Sequence, residues 1–141
     1  MDTNIFVRHF AQDSPDQSVW ATAFLKRAEA GSIEITVTET VLLELEHVLT
    51  SRALPYQLER SGMVTAFRAI LGMAGLRLSG GDSLTYRTAV ELYAQHPNDF
   101  GDALLIARTR QMSAQELASF DRHHFDRIEG LNRIDLTRFT I

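Results

Sequence analysis

Apolar residues follow two spacings along the chain, one typical of helices and one typical of strands. Five segments have helical spacing: 14–31, 38–52, 56–75, 84–95 and 99–111. Ile33, Ile35 and Val37 are β-branched and alternate with polar residues, which predicts a strand of about five residues. Three shorter segments also have an extended pattern: 76–79, 115–120 and 133–137. This order predicts an α/β domain whose mostly parallel sheet is covered by helices on both faces.

Residues that favour helix ends mark the boundaries of several of these segments. Ser14 and Gln17 have the spacing of a capping box, and Pro15 stands at the first helical position between them. Asp82 or Ser83 is placed to cap the helix that follows. The predicted helices are therefore separated by short connections.

The composition is that of a soluble globular protein. The chain has 141 residues, of which 45% are hydrophobic and 23% charged, so we predict a single domain over residues 1–141. The sequence has no run of about 18 uncharged apolar residues, which predicts a protein without a membrane segment. It also has no signal-peptide pattern and no cysteine, which predicts a cytoplasmic protein. The net charge of −4 means that any contact with nucleic acid requires a local basic patch.

Two aspartates open the segment HPNDFGDALLIARTRQ, which is otherwise apolar enough to be buried. Asp99 is placed to cap the helix, and Asp102 lies three residues later, where the helix dipole favours a negative charge. Capping is therefore one interpretation of the pair. A ligand site is the other, because ligands of α/β sheets bind outside the carboxyl ends of the strands. For Asp99 both interpretations stay open.

Other acidic residues lie where such a site would form. Asp121 directly follows the extended segment 115–120, and Asp2 stands at the start of the chain. Glu44 lies at the edge of the apolar stripe of the helix after the clearest strand, whereas Glu46 points elsewhere. A surface glutamate with a partly buried stem is the competing interpretation of Glu44.

Four motifs in order, "DTN", "VLLELEHVL", "DFGDALLIA" and "SFDRHHF", resemble the PIN domain and, within it, the VapC-type toxins of toxin-antitoxin pairs. The resemblance implies a single Rossmann-like α/β/α domain with a central, mostly parallel sheet. It also implies an acidic cluster that binds Mg²⁺ or Mn²⁺ and a metal-dependent endoribonuclease activity on an RNA substrate. Carried over by position, the catalytic and metal-binding residues are Asp2, Glu44, Asp102 and Asp121, with Asp99 as an auxiliary acid.

The resemblance has one visible departure, at the N-terminus. Members of the family usually carry several apolar residues before the first aspartate, whereas here only Met1 precedes Asp2. We expect either that the recorded chain begins late or that its first strand is unusually short.

Family members also associate with other proteins. The resemblance implies a cognate antitoxin as partner, and pairing of VapC-like proteins implies a homodimer. Segment 56–75 agrees with self-association because its large apolar residues occupy more than one helical face: Met63, Phe67, Ile70, Leu71 and Met73. Coverage by other helices of the same chain is the alternative.

The chemistry of phosphodiester cleavage accounts for the acidic residues. Mg²⁺ takes oxygen ligands, so clustered carboxylates suit it better than histidines, and a bound metal polarises phosphate and acidifies water. Thr3 and Asn4 follow Asp2 and are candidates to bind a metal-bound water or the phosphate, although both also favour turns.

Basic residues near the two site-bearing turns are candidate RNA contacts, namely Arg8, Arg122 and His123. Solvated surface charge is the alternative for each of them. A zinc site built from His123 and His124 is disfavoured, because adjacent residues rarely point at one ion.

Two other functional classes compete with the nuclease. A catalytically silent domain that binds RNA or protein would be expected to have lost acids, yet all four are present. A small phosphatase starting from "DTN" would need a second aspartate two residues after the first, where this chain has Asn4. The sequence therefore favours the nuclease.

Overall fold

A computed structural model describes residues 1–80 and 82–139. Its helices are α1 (Thr3–Ala11), α2 (Pro15–Glu29), α3 (Glu39–Thr50), α4 (Arg60–Leu71), α5 (Ser83–Gln95), α6 (Phe100–Gln111) and α7 (Arg122–Phe125). Its strands are β1 (Ile35–Val37), β2 (Leu76–Leu78), β3 (Glu116–Ala118) and β4 (Asn132–Ile134), followed by a 3-10 turn over Leu136–Arg138. Strands and helices alternate as the apolar pattern predicts, and helices make up most of the domain.

The strands form two parallel pairs. β1 pairs with β2, with Ile35 opposite Leu76, and β3 pairs with β4, with Glu116 opposite Asn132. The prediction of an α/β domain with parallel strands is confirmed. The expected single sheet appears, within the described residues, as two two-stranded sheets. Each strand is three residues long, so backbone pairing is limited and packing between helices supplies most of the core.

Aromatic side chains occupy the centre of the helical layer. Phe67 of α4 and Phe100 of α6 stack with ring centroids 4.2 Å apart, and Tyr93 of α5 meets both rings edge to face. All three side chains are buried, which gives each a large apolar contribution to stability. Because Phe100 is the first residue of α6, this cluster fixes the N-terminus of α6 inside the domain.

The helix boundaries confirm some predictions and overturn others. Asp82 caps α5 by accepting a hydrogen bond from Thr85 N at 2.8 Å. The capping box predicted for α2 is wrong, because Ser14 makes no side-chain cap and Gln17 instead accepts from Arg8 Nε at 2.8 Å. The helix predicted over 56–75 is shorter, since α4 begins only at Arg60.

The apolar faces of segment 56–75 are covered by the chain itself. All five of its large apolar residues are buried within the monomer: Met63, Phe67, Ile70, Leu71 and Met73. Their pattern therefore no longer argues for a dimer. None of the helices in the described residues combines the length and the apolar character needed to cross a membrane.

Candidate active site

Asp99 and Asp102 lie at the first turn of α6. Asp99 Oδ1 accepts a hydrogen bond from Asp102 N at 2.8 Å, so the capping interpretation of Asp99 is confirmed. Gly101 lies between them, where a Cβ atom would stand 3.2 Å from Asp99 Oδ1 and 3.7 Å from Leu43 Cδ2 of α3. The first turn of α6 is thus packed against Leu43 of α3.

Asp121 follows β3 and begins α7. Its Oδ1 accepts a hydrogen bond from His124 N at 3.0 Å, which caps this short helix. His124 turns its ring back toward both aspartates, with Nδ1 2.8 Å from Asp121 Oδ2 and 3.0 Å from Asp102 Oδ2. The imidazole therefore joins the start of α6 to the segment that follows β3.

These three side chains form the acid-histidine cluster, defined as Asp102, Asp121 and His124. One ligand atom of each lies within 4.8 Å of the other two, and each residue is partly exposed. Two carboxylates and an imidazole are a plausible ligand set for a divalent cation, with the carboxylates favouring Mg²⁺ or Mn²⁺. Among the residues that the structure describes, this is the group of three acidic or histidine side chains close enough to share an ion.

The two aspartates of the cluster differ in their electrostatics. Burial raises the pKa of Asp102, and the negative charge of Asp99 adds to the rise. The hydrogen bond from the His124 backbone N–H lowers the pKa of Asp121. Negative charge is therefore disfavoured at Asp102 and favoured at Asp121, and a cation between them would stabilise both carboxylates.

Asp2 and Glu44 lie outside the acid-histidine cluster, and both are contacted by residues at the start of α1. Thr3, only 2% exposed, donates its hydroxyl to Glu44 Oε2 at 3.2 Å, and Asn4 Nδ2 donates to Asp2 Oδ2 at 3.3 Å. The Met1 amino group donates to Thr36 O of β1 at 2.9 Å. Asp2 and Glu44 are thus held near the end of β1, and Thr3 links α1 to α3.

The four predicted acids consequently fall into two groups. Asp102 and Asp121 meet through His124, whereas Asp2 and Glu44 are connected through Thr3. The first turn of α6 lies beside Leu43, the residue before Glu44 on α3. The convergence of the two groups on one ion stays a prediction.

The candidate RNA contacts have different surroundings. Arg8 is engaged by Asp13 and Gln17, so its charge is largely compensated within the chain. Arg122 and His123 are exposed on α7 directly after Asp121. Of the three predicted contacts, the pair on α7 is the better placed to meet a phosphate backbone beside the cluster.

Sequence reasoning missed two side chains of this region. From the sequence alone, His124 is considered only as a disfavoured zinc ligand, although its i+3 spacing from Asp121 places both residues on one face of a short helix. Glu46 was expected to point elsewhere, yet Tyr93 Oη donates to its Oε1 at 3.4 Å. Burial raises the pKa of Glu46, with a further contribution from the charge of Asp99.

Comparison with known proteins identifies one family. The model of a family described as the PIN domain matches residues 1–131. No curated protein matches the chain.

Proposed function

The chain belongs to the PIN-domain family, and from that premise we propose that it is a metal-dependent endoribonuclease. PIN domains are typically nucleases, so the family supports cleavage of a phosphodiester bond. The observation that carries the proposal is the acid-histidine cluster, whose ligand atoms lie within 4.8 Å of one another. The cluster lies within the matched residues. Its aspartates stand at the start of α6 and after β3, the two positions at which the resemblance to the family implies catalytic acids.

The donor set fits a hard divalent cation. In this proposal Asp102 and Asp121 hold Mg²⁺ or Mn²⁺ directly, and Asp2 and Glu44 complete the site. When bound, the metal polarises the scissile phosphate and lowers the pKa of its water. The partial exposure of the cluster leaves it open to a phosphate group from outside.

The chain's own residues position the acids and bind the substrate. Asp99 fixes the first turn of α6 and so the direction of the Asp102 side chain, while Thr3 orients Glu44 by donating to its Oε2. Such hydrogen bonds to ligands matter because they set the geometry in which a metal is bound. Arg122 and His123 are exposed beside Asp121 and contact the phosphates of a bound strand.

A cleavage assay with matched substrates tests the reaction class. The purified protein is incubated with Mg²⁺ and with a single-stranded RNA or the DNA of the same sequence, each labelled at one end. We expect internal cuts in RNA, no comparable cleavage of DNA, and loss of the cuts in Asp102→Asn. Asp82→Asn is the matched control, since Asp82 also caps a helix but lies outside the cluster. RNA that stays intact with the wild type, or equal cutting by Asp102→Asn, would contradict the proposal.

The biological role in this proposal is that of a toxin in a VapBC-type pair, inhibited by a cognate antitoxin and acting as a homodimer. The motifs of VapC-type toxins support it, and so does an apolar surface on α2, where Val19 and Trp20 are 66% and 70% exposed. We expect expression of the chain to arrest growth, and co-expression of a small protein encoded beside it to restore growth. Light scattering at micromolar concentration tests the homodimer, and a monomer mass would contradict it.

A further inference from the structure

A polar cavity of about 400 Å³ lies between α3, the loop that leads to α4, and α5. This is the base cavity, defined by five of its lining residues: Glu46, Arg52, Gln57, Arg60 and Tyr93. Its volume falls within the range of about 300–1,000 Å³ that is typical of small-molecule sites. The mechanism proposed above uses none of these side chains.

Arg60 is held rigidly at one wall of the base cavity. Its Nη1 donates to Tyr93 O and to Asn98 O, both at 2.8 Å, and its Cζ lies 4.1 Å from the centroid of the Tyr93 ring. A guanidinium fixed by two carbonyls and an aromatic face loses little freedom when it meets a planar ligand. Arg60 therefore provides a preorganised cationic plane.

Glu46 and Gln57 supply the other recognition groups. Tyr93 Oη donates to Glu46 Oε1 at 3.4 Å and so orients this carboxylate from α5. Gln57 has a φ of 46°, in the left-handed region that is unfavourable for a residue with a side chain. The hydrogen bond from Leu58 N to Leu49 O at 2.7 Å holds the neighbouring backbone in place. Strain of this kind is often retained at binding sites.

The mixture of charges indicates which part of a nucleotide would fit. Glu46 and Glu59 line the same cavity as Arg52 and Arg60, so a phosphate would meet two carboxylates together with the two guanidinium groups. A neutral base with both donors and acceptors meets each group favourably. Guanine offers N1–H and N2–H to a carboxylate, and O6 and N7 to a guanidinium or an amide.

We infer that the base cavity is a guanine-binding subsite that receives an unpaired base of the RNA next to the cleaved phosphate. Single-stranded RNA is recognised by bases turned out of the stack, held against aromatic or guanidinium planes and read along their edges. The base cavity is linked to the cluster through two residues, because Arg60 donates to the carbonyl of Asn98, and the next residue, Asp99, caps the helix that carries Asp102. This inference rests on the proposed function.

The first test measures base preference. A pool of single-stranded RNA with randomised sequence is cut by the wild type, by Glu46→Gln and by Glu91→Gln, and the cut positions are sequenced. Glu91 is a matched control because it is an exposed glutamate of α5, ion-paired with Arg68 away from the base cavity. We expect guanine to be enriched at one position beside the cut, and the ratio of guanine to adenine to fall at least about fivefold in Glu46→Gln only. Equal use of the four bases by the wild type, an enrichment of cytosine, or an unchanged ratio in Glu46→Gln would overturn the inference.

The second test is independent of cleavage. Binding of guanosine 5′-monophosphate and of adenosine 5′-monophosphate is measured by calorimetry in the presence of EDTA. We expect the guanine nucleotide to bind more tightly, and Glu46→Gln to remove at least about fivefold of that difference. Equal binding of the two nucleotides overturns the base site and leaves the nuclease proposal intact. Selective binding of the guanine nucleotide by a protein that cuts no RNA supports the base site and contradicts the nuclease proposal.

Discussion

The two groups of acids in the candidate site are held in different ways. At α6 and α7, two carboxylates approach each other because the His124 ring stands between them, 3.0 Å from Asp102 and 2.8 Å from Asp121. At α1 and α3, the partner of the Glu44 carboxylate is a neutral group, the buried Thr3 hydroxyl, which donates a hydrogen bond to it. Ionised carboxylates repel each other, so they can lie close together when a positively charged group or a metal ion lies between them. We therefore expect Asp2 and Glu44 to complete the site only when a metal binds.

The largest change in RNA cleavage is expected from substitutions that test whether the two groups of acids bind one ion. If they do, Glu44→Gln and Asp102→Asn each lower RNA cleavage by about 100-fold or more, because each removes a charged ligand. Thermal unfolding without metal should show no loss of stability for Asp102→Asn, since a carboxyl whose pKa is raised by folding opposes folding when it is ionised. Initial rates with Asp82→Asn as control provide the measurement. A fully active Glu44→Gln beside an inactive Asp102→Asn would confine the metal site to the acid-histidine cluster.

A smaller effect on cleavage is expected at the link between α1 and α3. Thr3→Val keeps the shape of this buried side chain but removes the donor to Glu44 Oε2, so we expect cleavage to fall about tenfold, with a higher Mg²⁺ concentration needed for half-maximal rate. Thr65→Val is the matched control, because that exposed threonine donates to Ser61 O within α4. Wild-type rates and Mg²⁺ dependence in Thr3→Val would mean that Thr3 has only a structural role.

The Asp99 cap should affect stability more than chemistry. Asp99→Ala removes the acceptor for Asp102 N, and we expect the free energy of unfolding to fall by about 1 kcal/mol, whereas Asp99→Asn keeps the cap. Cleavage by Asp99→Asn then separates the capping role from a ligand role. A stable but inactive Asp99→Asn would show that the Asp99 charge also takes part in catalysis.

Asp82 caps α5 in the way that Asp99 caps α6, but it lies outside the acid-histidine cluster. The pH dependence of its contribution to stability can therefore be measured separately. Hydrogen bonds from Thr85 lower its pKa below the ordinary value of 3.8. Its contribution to stability is therefore fully present above that value and is lost as the pH falls through the lowered pKa. Urea unfolding of wild type and Asp82→Asn between pH 2 and pH 6 measures this difference, which should shrink at the acidic end. A difference that is constant with pH would contradict the assignment.

The smallest effect concerns the imidazole that closes the acid-histidine cluster. We expect His124→Gln to lower metal-free stability slightly, because both carboxylates lose the imidazole whose Nδ1 lies 3.0 Å from Asp102 Oδ2 and 2.8 Å from Asp121 Oδ2, and contacts between partly exposed groups contribute little. The neighbouring exposed residue supplies the control variant His123→Gln. Added Mg²⁺ should recover the loss, and an equal effect of the two substitutions would argue against a particular role of His124.

Local features of the sequence predicted local features of the fold. The alternation of Ile35 and Val37 with polar residues marks β1, and the Asp82 and Asp99 caps depend on neighbours three residues away. Each of these structures is decided within a few positions of the chain. The prediction of a capping box at Ser14 was wrong because the Gln17 side chain accepts a hydrogen bond from Arg8, which lies on another helix.

Contacts between distant segments were much harder to predict. Thr3 and Glu44 are 41 positions apart, and Tyr93 and Glu46 are 47 apart. No periodicity within one helix shows which neighbouring helix will cover a polar face. For this reason the apolar stripe of α3 identified Glu44 as a candidate but gave no sign that Glu46 lines a cavity with Tyr93.

Removal and return of the metal show whether RNA cleavage depends on a divalent cation held by the acids. The rate of cleavage of an end-labelled RNA is measured with Mg²⁺, after addition of excess EDTA, and after Mg²⁺ or Mn²⁺ is restored above the chelator. We expect cleavage to stop in EDTA and to recover with either metal, and Asp102→Asn to remain inactive throughout. Wild-type cleavage that continues unchanged in EDTA would contradict this dependence on a metal.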